Sequence, residues 1–161
     1  HFVQTDPNPA NFLVRDDGKM VLIDFGATLS FEKSFVRDYQ ELVRVSFSGD
    51  RKSIIQQIEK LKFLDPRESE EVKDLFIDFL LLSMTPFDEK NQPFDFADSE
   101  YSQKVRNDAL NFSRKLKYSA PPKDLIFLNR KLGGIFLMLK KLDIKADLTE
   151  FRETMNNVDF Y

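Results

Sequence analysis

Two short β-prone runs, Asn11-Phe12-Leu13-Val14 and Lys19-Met20-Val21-Leu22-Ile23, face each other across Asp16-Asp17-Gly18. An Asp-Gly turn between such runs predicts a tight hairpin. That hairpin constrains everything near it. It sets Asn11, at the mouth of the first strand, beside Asp24, just past the end of the second. An amide oxygen and a carboxylate then converge on one point. Two hard oxygen donors with open positions around them suit Mg²⁺, whose remaining sites go to water and phosphate. Pro7 and Pro9 fix the backbone of the preceding loop, which carries Asp6. Gly26 is expected to give φ freedom where the chain leaves the site.

Asp6, Asn11 five residues on, and Asp24 opening Asp24-Phe25-Gly26 are spaced as in protein kinases, with the two aspartates eighteen positions apart. Phosphoryl transfer asks little covalent chemistry of a protein. It needs a carboxylate near the attacking nucleophile and oxygen ligands holding Mg²⁺ on the phosphates. Asp6 is the candidate for the first role, and Asn11 with Asp24 for the second. A solvated surface hairpin would explain the turn but neither the Asn11 placement nor Phe25-Gly26.

At these residues the sequence resembles the ABC1/UbiB/ADCK atypical kinases, also called AarF-domain or Coq8-like proteins. The likeness is carried by "FVQTDPNPANFLV" and "VLIDFGATLSF", and continues in "YQELVRVSFSGDR", "KFL", "PFDF" and "LNRKLGGIFLMLKKL". It implies an α+β, mostly α-helical fold: a protein-kinase-like C-lobe whose small hairpin carries the catalytic and metal-binding loops. It also implies Asp6 as catalytic residue and Asn11 and Asp24 as metal and cofactor ligands. The implied cofactors are Mg²⁺ and ATP. The implied role is ATP binding and hydrolysis in ubiquinone biosynthesis or related lipid metabolism, with lipid or quinone-precursor molecules as partners. The implied location is the mitochondrial inner membrane, matrix side, or the cytoplasm and inner membrane of a bacterium.

A kinase also needs a strand lysine, its glutamate partner and a loop over the phosphates, all before the catalytic loop. This chain opens five residues before Asp6, so it reads as one lobe with the N-lobe absent, inactive by itself. Within it, residues 1–31 should hold the catalytic loop, hairpin and Asp24 segment, and residues 32–161 the helical part of the same domain. Gln4-Thr5 stands where protein kinases have His-Arg, and no Ala-Pro-Glu segment follows Gly26. Both departures argue against a peptide substrate and against control by activation-loop phosphorylation. Two other classes stay open: a phosphotransferase of the aminoglycoside or choline kinase type, and a lipid-binding pseudokinase scaffold.

Beyond the hairpin, helical periodicity predicts helices over 34–47, from a cap at Asp50 to before Pro66, over 68–84, 101–116 and 123–142, and a short one over 148–155. The stretch from Thr85 to Glu100 reads as a long ordered loop, with Asp95 ordering it. Gly133-Gly134 inside the fifth helix costs about 1 kcal/mol per glycine and so marks a close helix contact or a kink. The 17 Phe and absent Trp predict an aromatic core. Absent cysteines exclude disulfides and thiolate metal sites.

Charge is uneven. Residues 104–145 hold eleven Lys or Arg against three Asp, a local +8 set against −11 elsewhere. Such a block draws a chain toward an anionic membrane surface or an acidic partner. Phe127, Phe136, Leu137 and Leu139 either form a membrane-facing stripe beside those cations or pack into the lobe. The low pI of 5.3 and the lack of a recognition motif argue against nucleic acid.

Overall fold

The computed structural model describes residues 1–157, and the side chains as far as Met155. It is mostly helical, with three small antiparallel strand pairs. Strand β1 (Phe2–Gln4) is followed by a 3₁₀ turn over Pro9–Asn11, then β2 (Phe12–Val14), β3 (Met20–Leu22) and β4 (Thr28–Ser30). The expected hairpin is β2 with β3, in the register Phe12↔Leu22, Leu13↔Val21, Val14↔Met20. Its turn needs a left-handed residue, and Gly18 supplies it at φ +78°. Not anticipated was the pairing of β1 with β4, Phe2↔Ser30 through Gln4↔Thr28. Three residues at the start of a chain carry too little pattern to announce a strand.

The helices follow: α1 (Lys33–Ser48), α2 (Arg51–Lys60), α3 (Glu70–Ser83), α4 (Ser99–Lys115), α5 (Lys123–Lys141) and α6 (Thr149–Asn157). Each boundary has a local cause. Gly49 ends α1 in the left-handed region at φ +69°. Asp50 then caps α2, accepting from the Lys52 and Ser53 amides. Lys62, at φ +55°, turns the chain out of α2 before Pro66 is reached. Ser69 caps α3, which leaves Glu68 outside the helix and free for another task. The stretch read as a loop is more structured than expected. It holds 3₁₀ turns at Thr85–Phe87 and Glu89–Asn91, strand β5 (Phe94–Asp95) paired with β6 (Lys145–Ala146), and an Asp98 cap that starts α4 two residues early. Asp95 does order it, accepting from the Ala97 amide at 2.9 Å and pairing with Lys145 at 3.0 Å.

The core centres on Leu42, Ile54, Ile77 and Leu125, all essentially inaccessible, with Ile58, Phe63, Val72 and Phe76 around them. The abundant phenylalanine fills it in a specific way. Rings run Phe31, Phe35, Tyr39, Phe63, Phe76, Phe112, each 5.1–6.5 Å from the next. Offset and tilted pairs at such spacing add about 0.5–1.5 kcal/mol each beyond their buried area. This row begins one residue after β4, so it ties the small strands to the helical core. Helix α5 is gripped at both ends of its basic stretch. Leu125 is in the core, and Phe136 packs on Phe96 and Tyr101. The stripe expected to be either buried or membrane-facing is divided: Phe127, Phe136 and Leu139 are half-buried, whereas Leu137 is exposed. No helix among the described residues is long and apolar enough to cross a membrane.

Buried Glu68 does the work of a cap at a distance. Its Oε1 accepts from the Lys117, Tyr118 and Ser119 amides and the Ser119 hydroxyl, at 2.8–3.1 Å. Burial alone would raise this carboxyl, but the four donors together outweigh it and hold it below its ordinary value. The link between α4 and α5, which has no regular structure, is thereby fixed.

Candidate active site

Asp6 is delivered by a loop held at both ends. Before it, buried Thr5 makes two bonds to the Ala27 carbonyl, from its amide and its hydroxyl, both 2.8 Å. After it, Asn8 accepts from the Ala10 amide at 3.1 Å and Pro9 opens the 3₁₀ turn that ends on Asn11. A proline at the first helical position loses no needed donor and brings a suitable φ. Thr5 thus links the Asp6 loop to the segment after Asp24, a role its place in the sequence did not disclose.

Asn11 is buried and joins three parts. Its carbonyl accepts from the Ile23 amide at 3.0 Å, extending the hairpin up to the residue before Asp24. Its side-chain Nδ2 donates to Asp6 Oδ2 at 2.9 Å. With the amide nitrogen so used, its Oδ1 is left as the acceptor. Asp24 is exposed, and its Oδ1 accepts from the Gly26 amide at 2.8 Å. The expectation for Gly26 needs correcting. Its φ is not positive, as those of Gly18 and Gly49 are. Its reason is space: a Cβ there would sit 3.1 Å from Asp24 Oδ1.

The hairpin therefore brings Asn11 and the start of the Asp24 segment together, and Asp6 is bonded directly to Asn11. Among the described residues no three acidic or histidine side chains converge as a metal cluster. The protein offers an incomplete set of hard oxygens, Asn11 Oδ1 and the Asp24 carboxylate. That donor chemistry fits Mg²⁺, which keeps several waters and takes phosphate oxygens rather than a full protein cage.

Sequence reasoning missed the helix at the other side of Asp6. Gly134 of α5 lies so close to the loop that a Cβ there would fall 2.0 Å from Pro7 Cβ. The double glycine thus marks a close contact, made by Gly134 alone, since Gly133 has nothing within 4 Å. One turn back, Arg130 Nη2 lies 3.3 Å from Asp6 Oδ1. Lys131 donates to Gln4 Oε1 at 2.8 Å and lies 5.1 Å over the Phe12 ring. Burial pushes the Lys131 ammonium below its ordinary value, and the Asp6 charge opposes that shift. The only sequence clue was the Arg130-Lys131 pair three residues before the glycine pair. Loop and helix enclose an open cleft of about 520 Å³, with Asp6 and Pro9 on one wall and Arg130, Leu137, Met138 and Lys141 on the other.

A carboxylate on a proline-fixed loop, bonded to an asparagine that starts a hairpin ending in Asp-Phe-Gly, is the arrangement of kinase-like phosphotransferases. Residues 1–58 match the family model described as the ABC1 atypical kinase-like domain. The chain is 35% identical over 144 residues to "Atypical kinase COQ8, mitochondrial" of Saccharomyces cerevisiae, covering 88% of this chain and 28% of that protein. It is 32% identical over 142 residues to "Atypical kinase COQ8B, mitochondrial" of Rattus norvegicus (88% and 26%). It is 29% identical over 146 residues to "Atypical kinase coq-8, mitochondrial" of Caenorhabditis elegans (88% and 19%). Residues 1–58 thus match the ABC1 atypical kinase-like domain, and most of the chain is similar to these atypical kinases. It spans less than a third of the length of each of these relatives.

Proposed function

We propose that this chain is the C-lobe of an ABC1-type atypical kinase or ATPase that acts on Mg²⁺-bound ATP. In this reading residues 1–31 carry the site and residues 32–161 the helical body of one lobe, the last four lying outside the described residues. The observation that carries it is the 2.9 Å bond from Asn11 Nδ2 to Asp6 Oδ2. One asparagine sets the orientation of the carboxylate and keeps its own oxygen for the metal.

Asp6 holds the attacking hydroxyl or water and takes its proton. Asn11 Oδ1 and Asp24 hold Mg²⁺, which when bound neutralises charge on the phosphates. Thr5, by fixing the loop to Ala27, keeps these groups in register. The lysine, glutamate and phosphate-covering loop that complete a kinase come from a further lobe of the intact protein. The exposed apolar side chains Leu13, Val14, Met20, Ile23 and Phe25 around the hairpin support such a covering partner. The names of the relatives and the resemblance of the motifs support a mitochondrial protein of ubiquinone biosynthesis or related lipid metabolism.

The test is ATP consumption by the intact protein with Asp6→Asn. General-base and positioning contributions of this kind are worth about 10²–10⁴-fold, so phosphate release should fall by at least about 10²-fold. Release equal to wild type would overturn the assignment of Asp6.

A further inference from the structure

We infer that Arg130 is a catalytic residue: the cation that stabilises the transferring phosphoryl group, supplied from α5 because the Asp6 loop carries none. The inference rests on the phosphotransfer reading above.

Between Asp6 and Asn11 the loop contains Pro7, Asn8, Pro9 and Ala10, with no lysine or arginine. Charge that spreads over the three equatorial oxygens of a phosphoryl in flight needs a positive partner besides Mg²⁺. A guanidinium meets that need, and it can be supplied from a distant part of the same chain. Arg130 lies 124 residues along the sequence from Asp6 yet places Nη2 at 3.3 Å from Oδ1. The pair does not have the form of a structural tie. The Arg130 side chain is 59% exposed and, among the described residues, holds one long contact, an arrangement that contributes little to stability. It keeps the other donors of its planar fork for a second anion. The cleft in which it sits is the one that Asp6 faces.

The helix that carries it, by contrast, is held at several points. Leu125 anchors α5 in the core, Phe136 anchors it on Phe96 and Tyr101, Gly134 seats it on Pro7, and Lys131 ties it to Gln4. Lys131 itself is committed to Gln4 and Phe12, so Arg130 is the cation of this pair that faces the cleft. In the step it serves, the bond from the γ-phosphorus to the bridging oxygen of ATP breaks and its electron pair leaves with ADP. A new bond forms from phosphorus to the acceptor oxygen, whose proton passes to Asp6. Arg130, touching both the Asp6 carboxylate and the phosphoryl oxygens, balances the charge between them.

The test compares the affinity of the intact protein for Mg²⁺-ADP with and without aluminium fluoride, a mimic of the phosphoryl in flight. Arg130→Ala should weaken the aluminium fluoride complex by about 10²-fold or more and Mg²⁺-ADP alone by less than about 3-fold. Millimolar guanidinium should restore at least about 10-fold of the loss, which a packing role would not allow. Lys104→Ala, on the exposed face of α4, removes the same charge and should change neither affinity. Arg130→Gln, which removes the charge but keeps a polar, helix-compatible side chain, should give the same split and serves if Ala disturbs the helix. Equal affinities for both complexes relative to wild type, equal loss of both, or no response to guanidinium would overturn the inference. If Asp6→Asn abolishes turnover while Arg130→Ala keeps the aluminium fluoride complex, only this inference falls. If Asp6→Asn leaves turnover unchanged, the functional reading falls with it.

Discussion

Gly134 in α5 and Pro7 in the Asp6 loop pack so closely that no side chain fits between them: a Cβ at 134 would lie 2.0 Å from Pro7 Cβ. This contact sets the distance between the helix that carries Arg130 and the loop that carries Asp6. It couples a packing choice to the geometry of the site.

Adjacent glycines in α5 should therefore respond to alanine in opposite ways. Gly134→Ala forces the helix off Pro7 and should destabilise by about 1–3 kcal/mol, as overpacking does. Gly133→Ala meets open space and should stabilise by about 0.5–1 kcal/mol through helix propensity. Paired denaturant melts measure both. Stabilisation by both substitutions would refute the close contact.

Removing the charge of Glu68 should loosen the link between α4 and α5 specifically. In Glu68→Gln, three backbone amides and a hydroxyl lose the carboxylate that accepts from them. Amide exchange at Lys117, Tyr118 and Ser119 should accelerate by about tenfold or more while α3 amides change little. The folded carboxyl lies below its ordinary 4.5, so its contribution is present above that pH and is lost as pH falls through the lowered value. Wild type and variant should consequently converge in stability on acidification. A gap that stays constant with pH would rule out this role.

Alkaline pH should weaken the aromatic row. Burial pushes the Tyr39 phenol up from 10.0 to about 12. A raised value means the folded state holds its proton longer than the unfolded chain. The contribution is complete below about pH 10 and declines between 10 and 12, on the order of 2 kcal/mol over that range. Tyr39→Phe should lose less stability than wild type across the same interval in matched chemical melts. Parallel curves would place Tyr39 in contact with water.

The helices were legible because burial imposes a 3.6-residue period on each, and their ends because caps are local. Asp50, Gly49 and Ser69 act within a few residues of their own positions. Departures arose where a long-range bond won. Glu68 looked like the first residue of a helix, but its carboxylate is taken by amides about fifty residues away. Strand β1 gave no signal because its partner β4 lies beyond the hairpin.

What the sequence determined by itself was the Asp6, Asn11 and Asp24 spacing and the hairpin that brings Asn11 beside Ile23, the residue before Asp24. Those relations span fewer than twenty residues and follow from turn chemistry and proline-fixed backbone. Only the tertiary structure decided that α5 closes the other side of Asp6 and which cation arrives there. The reason is physical: a contact 124 residues apart depends on how Leu125, Phe136 and Gly134 pack together, and no local pattern encodes that sum.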